Sequence, residues 1–335
     1  MKKLARSIII SLLLLTGFGF SLYAQVDFKN LQKSTANFSE DLAKSLPFNS
    51  SLGLNWSDAY IGKLFPSSPP HFGIGGSFGF TTMDIPSIKK LAGLLGYSLP
   101  FSADKMFLPA YTAEARVGGL FLPFDVGFKF GYLPPVGLWG TGMNLNYLLV
   151  GGDIRYALLD SKVWPKISLG AGVNYLNGAV GGKVGSSQEI TYYNGSSEDH
   201  ITLEKPDVNL KWNSIALDFT LQISKSFLII TPYLGLGGSY AWSSAGYSVD
   251  TTIIGNDGKP LAQAEIDKIK AYLSGVEGAD ISGSGISSMI DNNAFSLRTF
   301  GGFSVNLSVF RLDLTGLYSF FDQNYGASIG FRFQL

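Results

Sequence analysis

Two histidines and one acidic tripeptide are the residues of this sequence that could begin hydrolytic chemistry. His200 directly follows Glu198 and Asp199, whereas His71 has no acidic neighbour in the chain. Hydrolysis needs a nucleophile or a water molecule within hydrogen-bond reach of a base. Neither histidine is clearly placed beside a serine nucleophile, so we expect His71 to be structural and residues 198–200 to be a solvated charge cluster. The sequence predicts no catalytic residue and no enzyme activity.

The segment Gly255–Gly258 has the composition of a calcium-binding loop but not its spacing. It lacks the alternating carboxylates and the distal bidentate glutamate that such a loop uses. We therefore predict a turn that precedes a helical patch at Leu261–Leu273. The chain has no cysteine, which excludes disulfides, thiolate metal sites and thiol nucleophiles. The sequence predicts no metal and no cofactor.

A larger group of charged residues alternates with apolar neighbours, as Asp125 and Lys129 do among Val126, Phe128 and Phe130. Successive side chains of a strand point to opposite faces, so these charges would share one face of a sheet. The twelve residues are Glu114, Arg116, Asp125, Lys129, Asp153, Arg155, Lys166, Asp218, Arg298, Arg311, Asp313 and Arg332. Inside a narrow barrel such charges can pair into a packed network or line a small polar channel. Both interpretations remain open.

The elements that would hold these charges are ten segments of period two between His71 and the last residue. Their connections alternate between short links and longer ones. The short links are 121–123, 159–163, 224–226 and 306–308; the longer ones are 83–108, 133–141, 179–206 and 247–293. This arrangement is typical of an all-β, antiparallel, up-and-down transmembrane β-barrel, with ten strands, or twelve if residues 51–65 also pair. A soluble sandwich has the same period, but the aromatic-rich, exported sequence favours the barrel.

One segment breaks the alternation. Leu145, Tyr147 and Leu149 occupy odd positions, and so do the charged residues Asp153 and Arg155. One extra residue in a strand exchanges its two faces, so we predict a β-bulge at Gly151-Gly152 that returns the apolar residues to the outside.

The N-terminal part of the chain predicts two further units. Basic residues precede an apolar run from Ile8 to Phe20, which indicates a cleaved signal peptide over residues 1–24. Residues 25–70 would form a helical segment, with a stripe that Pro47 ends, and residues 71–335 the barrel. We predict that the helical segment plugs the barrel, because its apolar stripe needs a surface to dock on. The plug residues are Phe28, Leu31, Phe38, Leu42 and Leu46.

The last predicted strand has a sequence pattern that resembles that of a known class of proteins. Tyr325, Ile329, Phe331, Phe333 and Leu335 are apolar at alternate positions, and Phe333 lies two residues from the end. This pattern resembles the C-terminal signature of bacterial outer-membrane β-barrel proteins, although that class more commonly ends in Phe. The resemblance implies localisation in the cell outer membrane and recognition of Phe331, Phe333 and Leu335 by the outer-membrane assembly machinery. Ten strands is also the architecture of the omptin proteases, but their paired Asp-x-Asp is absent.

The functional prediction is a small porin or transporter for a small or amphipathic solute. One alternative is a structural or surface-adhesion barrel with a sealed lumen. Another is a hatch-bearing transporter of the fatty-acid type, which this chain resembles in having a segment before the barrel but not in the Asn-Pro-Ala motif of the hatch. The expected partners are outer-membrane lipid, the assembly machinery and a solute or host surface ligand. Zero net charge gives no support for nucleic acid.

Overall fold

The computed structural model describes residues 28–61, 71–84, 86, 89, 104–119, 123–137, 144–161, 163–183, 187–194, 197–205, 207–250, 252–254, 258–260 and 285–335. The predicted signal peptide, residues 255–257 and the predicted helical patch at 261–273 lie outside these residues.

One helix and thirteen strands have defined bounds in the described residues, and Pro86 and Lys89 are also helical. The helix is α1 (Phe28–Asn49). The strands are β1 (His71–Asp84), β2 (Lys105–Gly118), β3 (Phe124–Gly137), β4 (Asn144–Leu159), β5 (Lys166–Lys183), β6 (Gln188–Asn194), β7 (Ser197–Leu203), β8 (Asp207–Ser224), β9 (Ile230–Asp250), β10 (Ile253–Ile254), β11 (Gly285–Leu307), β12 (Phe310–Ser319) and β13 (Tyr325–Gln334).

Ten of these strands form one closed antiparallel barrel in the order β1-β13-β12-β11-β9-β8-β5-β4-β3-β2. The first strand closes the ring on the last, with Gly73 opposite Gln334 and Thr81 opposite Gly326. Closure leaves no barrel strand with an unpaired edge. The predicted ten-strand, up-and-down barrel is confirmed, and residues 51–61 form no additional strand.

The period-two pattern places large apolar side chains on the outside of the barrel. Ile74, Phe78, Phe128, Phe219 and Leu234 are each about half exposed or more. Their neighbours Ser77, Lys129 and Asp218 face the interior, as the alternation predicts. An apolar exterior around a polar interior is the arrangement of a barrel that crosses a lipid bilayer.

The predicted bulge in β4 is wrong. The pairing runs unbroken through Gly151 and Gly152, which lie opposite Lys129 and Phe128 of β3. Leu145, Tyr147 and Leu149 are therefore buried on the same inward face as Asp153 and Arg155. The physical reason is that part of the interior is apolar, since these three side chains belong to the cluster that packs on α1. The register shifts of β4 occur instead at Leu133/Val136 and Ala157/Leu159.

Several strands are longer than the alternation predicted. The barrel has a terminal end, where β1 begins and the chain stops, and a far end. At the far end, β12 stops at Ser319 opposite Arg298, so residues 285–297 of β11 project past it and pair with β9. The predicted loop 179–206 contains β6 and β7, which form a separate three-stranded sheet with β10. The sequence does not reveal these extensions because polar residues replace the apolar ones there.

The N-terminal segment lies inside the barrel. The helix α1 packs mainly against β9 and β11, and it continues through Pro47 to Asn49. An irregular segment, residues 50–61, follows and is buried almost throughout. Ser45 contacts Asn324 at the far end, whereas Ile61 contacts Asp125 near the terminal end. The chain therefore traverses the lumen before β1 begins.

Candidate functional site

The filled lumen is the candidate functional site, and Asp125 is the centre of its first charge cluster. This fully buried carboxylate accepts from Arg116 at 2.6 Å and from Arg155 at 2.7 Å. Arg116 also reaches Asp153 at 2.8 Å. These four residues come from β2, β3 and β4, where the register places Asp125 opposite both Gly118 and Arg155. Burial is tolerated because each charge faces an opposite charge at hydrogen-bond distance.

The second cluster joins the N-terminal segment to the barrel wall. Asp58 lies 3.0 Å from both Arg311 and Arg332, and Arg332 also pairs with Asp313 at 2.8 Å. Burial favours the neutral form of Asp58, but the two arginines at hydrogen-bond distance stabilise its carboxylate form. Asp58 is therefore an anion that fixes the segment between two strands of the wall.

The other predicted lumen charges have individual partners. Arg298 donates to Asp218 at 2.7 Å and to Ser239, and Lys166 pairs with Asp160 at 2.9 Å. Lys129 donates to the carbonyl oxygens of Ser50 and Leu52, at 2.8 and 2.6 Å. The twelve charges that the sequence singled out thus face the interior, and most of them are ion-paired. Lys129 donates to backbone carbonyls instead, and Glu114 accepts hydrogen bonds from neutral donors such as Trp56.

Trp56 fits between the two charge clusters. Its indole Nε1 donates to Glu114 at 2.6 Å, and its ring lies 4.5 Å from the guanidinium carbon of Arg332 and 5.7 Å from that of Arg116. Cations over an indole face are attracted by the ring quadrupole. Gly73 gives the ring its space, because a Cβ at that position would lie 2.7 Å from it.

The irregular backbone of residues 50–61 is satisfied by side chains of the wall. The amide of Ala59 donates to Ser224 at 3.0 Å, and the amide of Ile61 donates to Asp125 at 3.0 Å. The carbonyl of Trp56 accepts from Gln222 at 2.7 Å. Buried backbone groups without such partners would destabilise the fold, so these bonds allow a non-helical chain to cross the lumen.

The far half of the lumen is apolar. Leu42, Leu46 and Phe48 of α1 are buried against a group of inward-facing wall residues. This group is Leu145, Tyr147, Leu149, Leu176, Val180, Leu210 and Trp212. The predicted plug residues Leu42 and Leu46 therefore contact the wall, while the side chains of Phe28, Leu31 and Phe38 lie outside the described residues.

Little space remains beside the N-terminal segment. Two polar cavities lie between it and the wall, with volumes of about 10 Å³ near Trp56 and Glu114 and about 30 Å³ near Lys129 and Asp218. Cavities of this size hold roughly one water molecule each. The space that these two cavities leave between the segment and the wall is therefore small.

The remaining predicted residues are elsewhere. His71 contacts the carbonyl of Leu335 at 3.1 Å, next to the closing strand pair. His200 lies in β7, and its side chain is outside the described residues. Phe331 and Leu335 face outward on β13 or just after it. Sequence reasoning missed Trp56 and Asp58 as site residues; the available signal was a tryptophan and a carboxylate within an otherwise uncharged stretch, residues 45–61.

No protein family and no curated protein matches the chain. Among solved structures, the chain is similar to the outer membrane protease OmpT from Escherichia coli, with 9% identity and a TM-score of 0.37, over 79% of this chain and 96% of that one. It is also similar to the translocator domain of the autotransporter NalP from Neisseria meningitidis, with 8% identity and a TM-score of 0.31, over 94% and 100%. The monoaromatic hydrocarbon channel CymD matches with 12% identity and a TM-score of 0.25, over 88% and 93%. These values are too low to assign an activity.

The class of the protein follows from the barrel itself. A closed ring of ten antiparallel strands, apolar outside and charged inside, is the fold of bacterial outer-membrane β-barrels. Among the described residues, no group of histidine and acidic side chains could hold a metal ion. No helix in the described part of the chain is long and apolar enough to cross a membrane.

Proposed function

We propose that this chain is a sealed outer-membrane barrel that supports a folded extension at the cell surface and acts there as an interaction protein. The filled lumen is the observation that supports this proposal. A porin needs a continuous aqueous path, whereas residues 42–61 occupy the lumen and leave room for single water molecules.

The projecting strands support the second half of the proposal. On the outward face of β8, β9 and β11, most residues beyond Trp242 are polar, with Met289 as an exposed apolar exception. The polar residues are Lys211, Asn213, Ser244, Asp291 and Asn293. Below Trp242 the same face carries Ile215, Tyr240 and Phe295. Strands need only about 10 tilted residues to cross a bilayer, and β11 has 23. The extra length leaves the membrane as a rigid wall, and β6, β7 and β10 add a sheet to the same far end.

A gated passage for a small amphipathic solute is the second candidate. Residues 50–61 are held by side chains and not by strand pairing, so they could leave the lumen without breaking the barrel ladder. Transport would then require release of the ion pairs of Asp58.

Conductance in planar bilayers distinguishes the two functions. We expect the full mature protein to give no steady conductance and a variant without residues 26–61 to form an open pore. A variant without residues 187–205, which removes β6 and β7, is the matched control and should stay silent. Solute flux through the full protein in liposomes would contradict the sealed barrel and favour the gated passage.

A further inference from the structure

Three neighbouring turns at the terminal end expose large apolar side chains to an unusual degree. They connect β4 to β5, β8 to β9 and β11 to β12, and these strands are consecutive in the barrel. The residues, named here the turn patch, are Val163, Trp164, Phe227, Leu228, Ile229 and Leu307, each more than half exposed. Turns that face water normally carry polar or small residues.

Leu228 combines two unfavourable properties. Its side chain is 102% exposed, and its backbone has a φ of 45° in the tight turn between Phe227 and Ile230. Glycine, asparagine and aspartate are the residues that adopt this conformation readily. A leucine here is unfavourable in water, and none of the described residues covers its side chain. A partner that covers Leu228 would compensate for this.

The turns form one continuous surface. The ammonium group of Lys225 donates to the carbonyl of Val163, which joins the β8–β9 turn to the β4–β5 turn. The amide of Asn306 donates to the carbonyl of Ile229 at 2.7 Å, which joins it to the β11–β12 turn.

We propose that the turn patch lies in the membrane, at the boundary between the headgroups and acyl chains of the periplasmic leaflet, and that its partner is phospholipid. The patch continues the lipid-facing wall. Four apolar side chains are exposed on the outward face of β8 and β9, the two strands that the turn at Leu228 connects: Leu221, Ile223, Ile230 and Leu234. Trp164 beside Lys225 is also the combination that anchors proteins at this boundary.

The height of the wall supports the same position. From Trp242 to Ile230, β9 advances by twelve residues, which is roughly 41 Å along the strand and about 31 Å along the membrane normal for a 40° tilt. The hydrocarbon core of a bilayer is about 30 Å thick. The tip at Phe227–Ile229 therefore lies at the end of this span, where the acyl chains meet the headgroups. This inference does not depend on whether the lumen is sealed.

Depth-dependent quenching tests the proposal directly, because the chain has no cysteine and accepts a single fluorescent label. Leu228→Cys and the far-end control Lys211→Cys, an exposed position beyond Trp242, would be labelled in the full protein and reconstituted in phosphatidylethanolamine–phosphatidylglycerol vesicles. We expect the label at 228 to be quenched by brominated lipid and protected from aqueous iodide, and the label at 211 to behave oppositely. Equal iodide quenching at both positions would overturn the proposal. Protection from iodide without quenching by lipid would also overturn it and indicate a covering protein, such as a second copy.

Leu228→Ala provides an independent measurement, since it keeps the unfavourable φ and removes only the apolar side chain. We expect the ratio of folded to unfolded protein in bilayers to fall roughly ten-fold, the effect of withdrawing a leucine side chain from an apolar environment. The contacts of the described residues predict no change in this ratio, because none of these residues packs over the side chain of Leu228. An unchanged ratio would therefore show that Leu228 faces water and would overturn the proposal.

Discussion

Asp58 is the charged residue through which the N-terminal segment is tied most firmly to the barrel. It is the one carboxylate of residues 50–61, and it faces Arg311 and Arg332 in a buried environment. Removing one partner of a buried ion pair costs far more than the pair itself contributes, because the remaining charge has no compensation. At this site Arg311 would lose its carboxylate partner, and Arg332 would keep only Asp313.

We expect Asp58→Asn to lower the free energy of unfolding by about 3–5 kcal/mol. Urea unfolding of the full mature protein in micelles measures the change. Lys44→Ala is the control, since Lys44 pairs with Glu40 on an exposed face of α1 at 2.8 Å and such pairs contribute less than about 1 kcal/mol. Equal effects of the two substitutions would mean that Asp58 does not hold the segment.

Asp322, in the turn between β12 and β13, predicts a pH dependence. Burial, together with the nearby charge of Asp84, raises the pKa of Asp322 to about 6. An unfolded chain has an aspartate pKa of about 3.9, so between these values the folded state binds more protons than the unfolded state. The contribution of this group to stability is therefore complete below about pH 4 and is lost as the pH rises through about 6.

We expect the wild-type protein to become more stable between pH 7.5 and pH 4.5, and Asp322→Asn to reduce that gain. The asparagine is neutral at both values and should raise stability at pH 7.5. Urea midpoints at the two pH values measure the effect, with Glu40→Gln, an exposed carboxylate of α1, as the matched control. A full pH response in Asp322→Asn would assign the dependence to another group.

At the scale of elements, β4 shows how the interior is divided. The half of β4 near the terminal end presents Asp153 and Arg155 to the charge clusters, and the other half presents Leu145, Tyr147 and Leu149 to α1. One continuous strand therefore serves a polar and an apolar layer of the lumen. The strand has apolar residues on both faces near the far end because lipid covers one face and α1 the other.

We expect Leu149→Ala to destabilise the barrel by about 2–5 kcal/mol, because it removes contacts to the buried cluster and leaves a cavity. Leu148→Ala, one residue earlier on the lipid side, should cost less, since acyl chains can occupy the vacated space. Urea unfolding in bilayers compares the two. The reverse order would place Leu149 outside, as the predicted bulge required.

At the scale of the whole molecule, the barrel is asymmetric. The wall formed by β5, β8, β9 and β11 is taller than the wall formed by β12 and β13, which have 10 residues each. The helix α1 packs on the tall wall, so the projecting strands are covered on their inner side. Their outer side becomes mostly polar beyond Trp242, and we place the membrane boundary of the far end there.

Arginine substitutions along β8 test that boundary. Phe219 lies midway between Ile215 and Ile223, so Phe219→Arg should cost roughly 2–4 kcal/mol of stability in bilayers, the value for a lipid-facing arginine at the midplane. Asn213→Arg, on the same strand and face but beyond Trp242, should cost about 0–1 kcal/mol. Folding into vesicles over a urea series measures both. Comparable costs would place Asn213 inside the lipid.

The sequence determined the barrel because alternation is a local property. Whether a residue such as Phe128 or Lys129 faces lipid or lumen depends on its own position in the strand, and ten such segments with short and long links define the ring. The charged lumen followed from the same pattern, although its pairing did not. Asp218 of β8 and Arg298 of β11, for example, come within hydrogen-bond distance only because both strands pair with β9, which lies between them in the barrel.

The sequence predicted that the N-terminal segment plugs the barrel, but only the tertiary structure decided which contacts hold that segment in the lumen. The partners of Asp58 are 253 and 274 residues away in the chain, and no periodicity relates positions at such distances. The same reason explains the wrong bulge in β4. Alternation assigns residues to two faces, but it cannot tell an inner face that contacts water from one that contacts α1. Leu149 is an interior residue because α1, from the N-terminal part of the chain, packs against it.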